Sequence, residues 1–285
     1  MNHARWLETR RGARVRVLEG GPPDGPPVVF LHGLTGLLDD TFLDLLAERH
    51  RVFAPELPGY GDSSGEELLE DMLDFSLHGW DVLDGLGLTG RQPALVGHSL
   101  GGVIALAYAS AFPDAVRKVV AIEGMGPPAT HHSQKDPYPD RLRRWIEHLR
   151  KIETRSPRTY KDLDAAATRM REANPHLSEE MARHLTLHGS NRNPDGSHVW
   201  KFDPFVRGWA PYGFEVAQAG ELHQRIKCPV LLFRGMESWA SDPEKDGRAK
   251  ALKNYRLINV PDAGHWLHHD QLNLFLRETT TFLAA

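Results

Sequence analysis

The sequence predicts an α/β fold: a mostly parallel sheet flanked by helices, with a helical insertion. Three observations carry this. Short apolar runs alternate with helical patterns toward both ends of the chain. Most of these runs stop at or near glycine, which a tight strand-to-helix turn tolerates. Between about 127 and 226 the alternation ceases, and the chain becomes strongly charged and helical in pattern. Short buried strands separated by helices pair in parallel, with helices on both faces.

The elements follow in order. Arg14-Val15-Arg16-Val17 alternates charged and apolar positions, as a half-exposed strand or one arm of a hairpin does. Gly21-Pro22-Pro23-Asp24-Gly25-Pro26-Pro27 is a turn. Buried strands are expected at 28–31, 51–55, 93–96, 116–122, 229–233 and 255–260. After the third, Leu100, Val103, Ile104, Ala107, Tyr108 and Ala111 have helical spacing. The last helix carries Leu272, Phe275, Leu276, Thr279 and Phe282 on one face. Within the insertion, helices are expected over 140–153 and 178–187, the second starting at Ser178-Glu179-Glu180. Residues 1–126 and 227–285 thus form a sheet domain, and 127–226 a helical cap. No repeat or low-complexity tract is present in the sequence.

Composition excludes several classes. The 285 residues carry 34 Lys+Arg and 38 Asp+Glu, a net charge of −4, with 40% hydrophobic residues. That content argues against disorder, and the charge gives no general attraction to nucleic acid or acidic membranes. Cys228 is the only cysteine, so neither an internal disulfide nor a cysteine-based zinc site is expected. No apolar run approaches the roughly 18 to 20 residues of a membrane helix, and no signal-length stretch follows Met1. The expectation is a soluble, cytoplasmic protein without nucleic-acid or membrane partners and without a metal. Its oligomeric state is left open.

Gly97-His98-Ser99-Leu100-Gly101-Gly102 sits between a strand and an amphipathic helix. That is the context of a nucleophile elbow, where glycines admit a tight turn and the serine hydroxyl stands exposed. The following helix places backbone N–H groups beside any oxyanion formed there. Leu31-His32-Gly33-Leu34 follows the 28–31 strand, where a second oxyanion donor is expected. The donors would be the N–H groups of Leu34 and Leu100, with the His32 side chain a structural hydrogen bonder. A serine needs a base, and imidazole titrates near neutral pH. Among 16 histidines, His265 stands out by position, after a late strand and a glycine and before the last helix. His268, His269 and Asp270 read as the solvated start of that helix rather than a metal site, and His131-His132 likewise as solvated.

With these motifs, the chain resembles the α/β-hydrolase superfamily, in the branch with a helical cap. The similarity spans the His32-Gly33 loop, the Leu57-Pro58-Gly59-Tyr60-Gly61 turn, the Gly97–Gly102 elbow and Gly264-His265. Within it, the chain most resembles serine-hydrolase-like (kraken-type) esterases. The resemblance implies an eight-stranded, mostly parallel sheet, a serine–acid–histidine triad and no cofactor.

The acid departs from the common pattern. Many relatives place an aspartate three residues after the glycine ending the penultimate strand; here that position is Ser238. Glu237 and Asp242 are nearby substitutes. Glu123, ending the 116–122 run, is a third, and some haloalkane dehalogenases and their relatives carry their acid at the corresponding strand end. A carboxylate ending an apolar strand is costly to bury without a partner, and an imidazole supplies one. Glu123 is therefore the expected acid, with Glu237 and Asp242 as alternatives. Its other reading is a structural carboxylate accepting loop N–H bonds. The dehalogenase likeness ends there, because those enzymes, like capped epoxide hydrolases, use an aspartate nucleophile and this chain has Ser99.

Trp200, Phe202, Phe205, Trp209, Tyr212 and Phe214 crowd one stretch of the cap. They read as cap core and seam, or as an apolar pocket over Ser99. Trp239 and Trp266 flank the candidate loops and are expected at the same pocket. The acidic run at 65–71 reads as a solvated helix face. The expected activity is a serine carboxylesterase on small or medium, largely apolar esters. Lactone, thioester or carbon–carbon bond hydrolysis would use the same triad, and a catalytically weak ligand-binding protein on the same fold is the rival from another class.

Overall fold

The structure, a computed structural model, describes residues 3–37, 41–69, 74–126, 136–154, 156–202 and 216–285. In chain order the strands are β1 (His3–Glu8), β2 (Arg14–Gly20), β3 (Pro27–Leu31), β4 (Arg51–Pro55), β5 (Ala94–His98), β6 (Lys118–Ile122), β7 (Thr159–Tyr160), β8 (Ser190–Arg192), β9 (His198–Trp200), β10 (Val230–Gly235) and β11 (Tyr255–Val260). The helices are α1 (Thr41–Leu46), α2 (Asp74–Gly85), α3 (Leu100–Ala111), α4 (Tyr138–Glu153), α5 (Leu163–Ala173), α6 (Glu179–Gly189), α7 (Val216–Arg225), α8 (Leu267–Asp270) and α9 (Leu272–Ala284).

Eight strands form one sheet in the order β1-β2-β4-β3-β5-β6-β10-β11. β1 and β2 pair antiparallel, as do β2 and β4, and the remaining pairs are parallel. The alternating Arg14–Val17 segment is thus one arm of a hairpin. Its partner β1 sits at the sheet edge with no fully buried position, so it leaves no apolar run in the sequence. β5 and β6 are buried at every position, which is why they read as continuous apolar runs. Alternate residues feed two cores. Val29, Leu31 and Leu95 face α2 and α3, while Val28, Phe30 and Val96 face α1 and α9.

The strand order reverses between β3 and β5. β4 lies on one side of β3, and everything after β5 builds away on the other. In open α/β sheets the crevice beyond the carboxyl ends at such a switch point is where ligands bind. Here those two ends carry Leu31-His32-Gly33 and His98-Ser99.

Between β6 and β10 lie α4, α5, α6 and a small antiparallel sheet in the order β7-β9-β8. This sheet was not legible in the helical pattern of the insertion, because strands of two or three residues are too short to show a two-residue period. Ser178 caps α6 by accepting the Met181 N–H at 3.1 Å, and Asp162 caps α5 at Ala165. Past β9 the chain is stitched to the β4 turn: Tyr60 and Phe202 form an antiparallel bridge, and the Gly61 N–H donates to Lys201 O at 2.7 Å. α7 packs on α3.

The expectation of a solvated histidine pair before the last helix is corrected. His268 is fully buried, packed edge-on against Phe42 and Phe275 and beside the His98 ring. The reason is the extra turn α8, which tucks one face of Leu267–Asp270 into the core ahead of α9 and leaves His269 half-buried. Of the acidic run, Glu66–Leu68 forms a short 3-10 turn, and residues 70–73 lie outside the described residues. His131 and His132 lie outside them as well.

Burial holds His98 and His268 well below the ordinary imidazole pKa of 6.5. The unfolded chain takes up protons near 6.5 and the folded chain does not, so the unfolded state binds more protons below that pH and stability falls as pH drops. Each such histidine contributes a slope of up to about 1.4 kcal/mol per pH unit. Denaturant unfolding measured from pH 7.5 to 5.5 should show this loss, with a shallower slope in His268→Phe. Equal slopes in the two proteins would contradict the assignment.

Candidate active site

Ser99 follows β5 directly and precedes the first residue of α3. Its backbone has φ 51° and ψ −114°, a region costly for any side-chain-bearing residue. The turn is held by the Ser99 N–H donating to Ile122 O at 2.8 Å. A Cβ on Gly101 would collide with the Leu31 carbonyl oxygen, so the elbow requires glycine there. Gly33 approaches from the other side: a Cβ built on it would lie 3.2 Å from Ser99 Cβ and 2.9 Å from His98 Nδ1. The 31–34 loop is therefore pressed against the serine. Leu34, half-buried, is the next residue in that loop, and Leu100 opens α3, where the first N–H groups lack acceptors within the helix.

His32 has a structural role. Its Nε2 accepts the Leu57 N–H at 2.9 Å, which fixes the proton on Nδ1, and Nδ1 donates to Gly33 O at 2.8 Å. It ties the 31–34 loop to the Leu57–Gly61 turn. His98, the buried neighbour of Ser99, donates from Nε2 to the His265 carbonyl at 2.9 Å. The rings of His98 and His265 have centroids 4.9 Å apart. These contacts bring the loop after β11 to the elbow.

Glu123 directly follows β6 with φ 53°, a second strained position. Its N–H donates to Phe233 O at 2.9 Å, which draws the β6 end against β10. The side chain is 1% exposed and accepts three hydrogen bonds. Gly235 N–H reaches Oε1 at 2.7 Å, Ser238 Oγ reaches Oε2 at 2.5 Å, and His265 Nδ1 reaches Oε2 at 3.2 Å. Glu123 thus accepts two loop donors and also faces the imidazole. The alternatives are directed elsewhere. The Glu237 side chain is exposed, and Asp242 Oδ1 caps its own turn at Glu244 N–H, 3.0 Å away.

Ser238 was seen in the sequence only as the place where an aspartate is missing. The structure gives it a positive role, as a donor to the carboxylate that stands at another strand end. It also accepts the Ala240 N–H at 3.1 Å. The sequence signal was available as a pair: a glutamate directly after β6 and a short hydroxyl three residues after the glycine that ends β10.

The aromatic residues divide. Trp200 and Phe202 stack with centroids 6.1 Å apart and line a cavity of about 250 Å³ that Thr35 also lines. Trp266 is buried among Met170, Leu177, Ala182 and Leu185, with Nε1 donating to Asn174 Oδ1 at 3.0 Å; it forms the seam beneath the insertion rather than the cavity wall. Trp239 is 78% exposed, with its ring 4.8 Å from that of His265. Trp209 lies outside the described residues, with Phe205, Tyr212 and Phe214. Among the described residues no cluster of three or more His, Cys, Asp or Glu side chains is arranged for a metal, and no helix is long and apolar enough to cross a membrane.

Ser238→Ala removes one of two donors from a buried Glu123 oxygen. The expected result is a protein still folded at neutral pH but less stable by about 1–3 kcal/mol, read from denaturant midpoints. An unchanged midpoint would mean that the 2.5 Å contact contributes nothing.

A sequence model described as the alpha/beta hydrolase fold matches residues 26–272. Esterase YbfF of Escherichia coli is 26% identical over 266 residues, covering 90% of this chain and 92% of that protein. An sn-1-specific diacylglycerol lipase of Mus musculus is 26% identical over 273 residues, covering 91% and 81%. Two other curated relatives match over only 137 and 126 residues, and the chain covers 44% and 6% of their lengths. Among solved structures, a thioesterase domain from the curacin biosynthetic pathway superposes with a TM-score of 0.80 at 27% identity, covering 98% of this chain and 99% of that one. On the match of the family model across both halves of the sheet, the chain belongs to the α/β-hydrolase fold family.

Proposed function

We propose that the protein is a serine hydrolase acting on carboxylic esters through an acyl-enzyme. The observation that carries this reading is the buried Glu123 carboxylate 3.2 Å from His265 Nδ1, on a loop bonded to the residue beside strained Ser99. With Nδ1–H donating to Glu123, the imidazole presents Nε2 as a base. Ser99 Oγ attacks the ester carbonyl and Nε2 takes its proton. The N–H groups of Leu34 and Leu100 hold the oxyanion. Nε2–H then protonates the departing alkoxide, leaving the acyl group on Ser99. A water molecule, deprotonated by the same nitrogen, releases the acid. Glu123 orients the ring and stabilises its charged form. This chemistry needs no cofactor.

The esterase and lipase among the relatives support the ester class. The thioesterase likeness at 27% identity keeps thioesters as a second substrate class for the same groups. Lactones and carbon–carbon bonds have no comparable support. The carboxylate beside His265 speaks against the binding-only rival, which an unpaired imidazole would have favoured. The insertion over the switch point acts as the cap that shapes the substrate cavity.

A fluorophosphonate probe should label the wild-type protein once per chain, as read by intact mass, and should leave Ser99→Ala unlabelled. Turnover of p-nitrophenyl esters should fall on the order of 10⁴-fold or more in that variant. A folded wild type that takes up no probe would overturn the proposal.

A further inference from the structure

The cavity beside the candidate site is not uniformly apolar. Its lining includes Met170, Trp200 and Phe202, together with Thr35, the residue after the proposed oxyanion donor Leu34. It also includes two arginines, Arg158 and Arg169, both exposed. The Arg158 guanidinium lies 5.2 Å from the centroid of the Tyr160 ring, and Tyr160 is only 9% exposed. The cation is thus seated on a buried aromatic plate at the cavity wall. Among the described residues no carboxylate pairs with it. Arg169 Nη1 meets Glu172 Oε2 at 3.2 Å, with the side chains 47% and 61% exposed. An ion pair so open to water is worth little and yields readily to a better-placed anion.

We propose that this cavity selects esters in which one arm has an apolar stem ending in an anionic group, a carboxylate or phosphate, held by Arg158 and Arg169. The inference rests on the ester-hydrolase reading and narrows its substrate class. A cavity lined both by half-buried aromatic rings and by two exposed cations matches such an arm: the stem packs against Trp200 and Phe202, and the anion stays with the exposed guanidinium groups. Guanidinium groups suit this task because their planar donors engage carboxylate and phosphate oxygens in pairs. A neutral alkyl arm would fill the same walls without using either arginine. It also narrows the sequence expectation of largely apolar esters, since neither arginine was singled out within the charged insertion.

The test is a specificity ratio, taken in two arms. One compares the p-nitrophenyl monoester of adipic acid with p-nitrophenyl hexanoate, placing the anion on the acyl side. The other compares the hexanoate esters of 4-hydroxybutyl phosphate and of 1-butanol, placing it on the leaving side. Wild type should favour the anionic member at least tenfold in kcat/KM in one arm, and high salt should erode the preference. Arg158→Met/Arg169→Met should bring that ratio down at least tenfold, whereas Arg277→Met, on the far surface of α9, should not change it. Arg158→Glu/Arg169→Glu should reverse the preference toward an ω-ammonium ester, a result that loss of packing alone does not produce. Fluorophosphonate labelling reports whether each variant still assembles its site. Ratios near one in both arms of a labelling-competent wild type would overturn this inference and leave the hydrolase reading standing. Ratios unaffected by the double methionine variant would also overturn it. A folded wild type that neither labels nor turns over any ester would overturn the hydrolase reading itself.

Discussion

The carboxylate of Glu123 is the interaction on which the site depends. It is buried at the end of a central strand, where an unpartnered charge would be prohibitively costly. Its three donors come from the end of β10, the loop after β10 and the loop after β11. One side chain therefore locks three successive carboxyl ends of the sheet into register above the plane of the strands. Removing it would leave a backbone N–H and a serine hydroxyl without their acceptor and would release the imidazole. Structure and proposed chemistry meet in the same atoms, since what stabilises the loops also orients His265.

Strain marks the same place. Ser99 and Glu123 follow adjacent parallel strands, and both adopt positive φ without being glycine. The Ser99 N–H bonds to Ile122 O, the residue before Glu123, so the two turns brace each other. Such conformations persist when surrounding packing over-determines them. That packing is supplied by the strand reversal, which opens a crevice between β3 and β5 and leaves the 31–34 loop free to fold over the serine.

Much of this was legible in sequence for simple reasons. Strands buried on both faces must be apolar throughout, so β3 to β6 and β10 were visible as runs. The elbow was visible because close backbone approach leaves only glycine beside Ser99. Glu123 was legible because an acid at the end of an apolar run demands a partner. Other features left weaker traces. β1 lies at an edge, and β7 to β9 are too short for periodicity. His268 looked solvated because its burial arises from α8, a single turn whose packing is set by Phe42, far away in the chain, and by Phe275 two turns on. Ser238 was read as a loss, although its hydroxyl donates to Glu123. The aromatic stretch did not say which rings face a cavity and which fill a seam. Trp200 and Trp266 differ in that respect through tertiary placement alone.

The proposed triad takes its acid from Glu123 rather than from the loop after β10. The most direct measurement is the second-order rate of fluorophosphonate labelling in Glu123→Gln, Glu237→Gln and Asp242→Asn, each checked for folding by circular dichroism. With Glu123 as the acid, labelling falls on the order of 10²- to 10⁴-fold in Glu123→Gln and stays within about threefold of wild type in the other two. A folded Glu123→Gln that labels at the wild-type rate, with Glu237→Gln or Asp242→Asn slow, would contradict it.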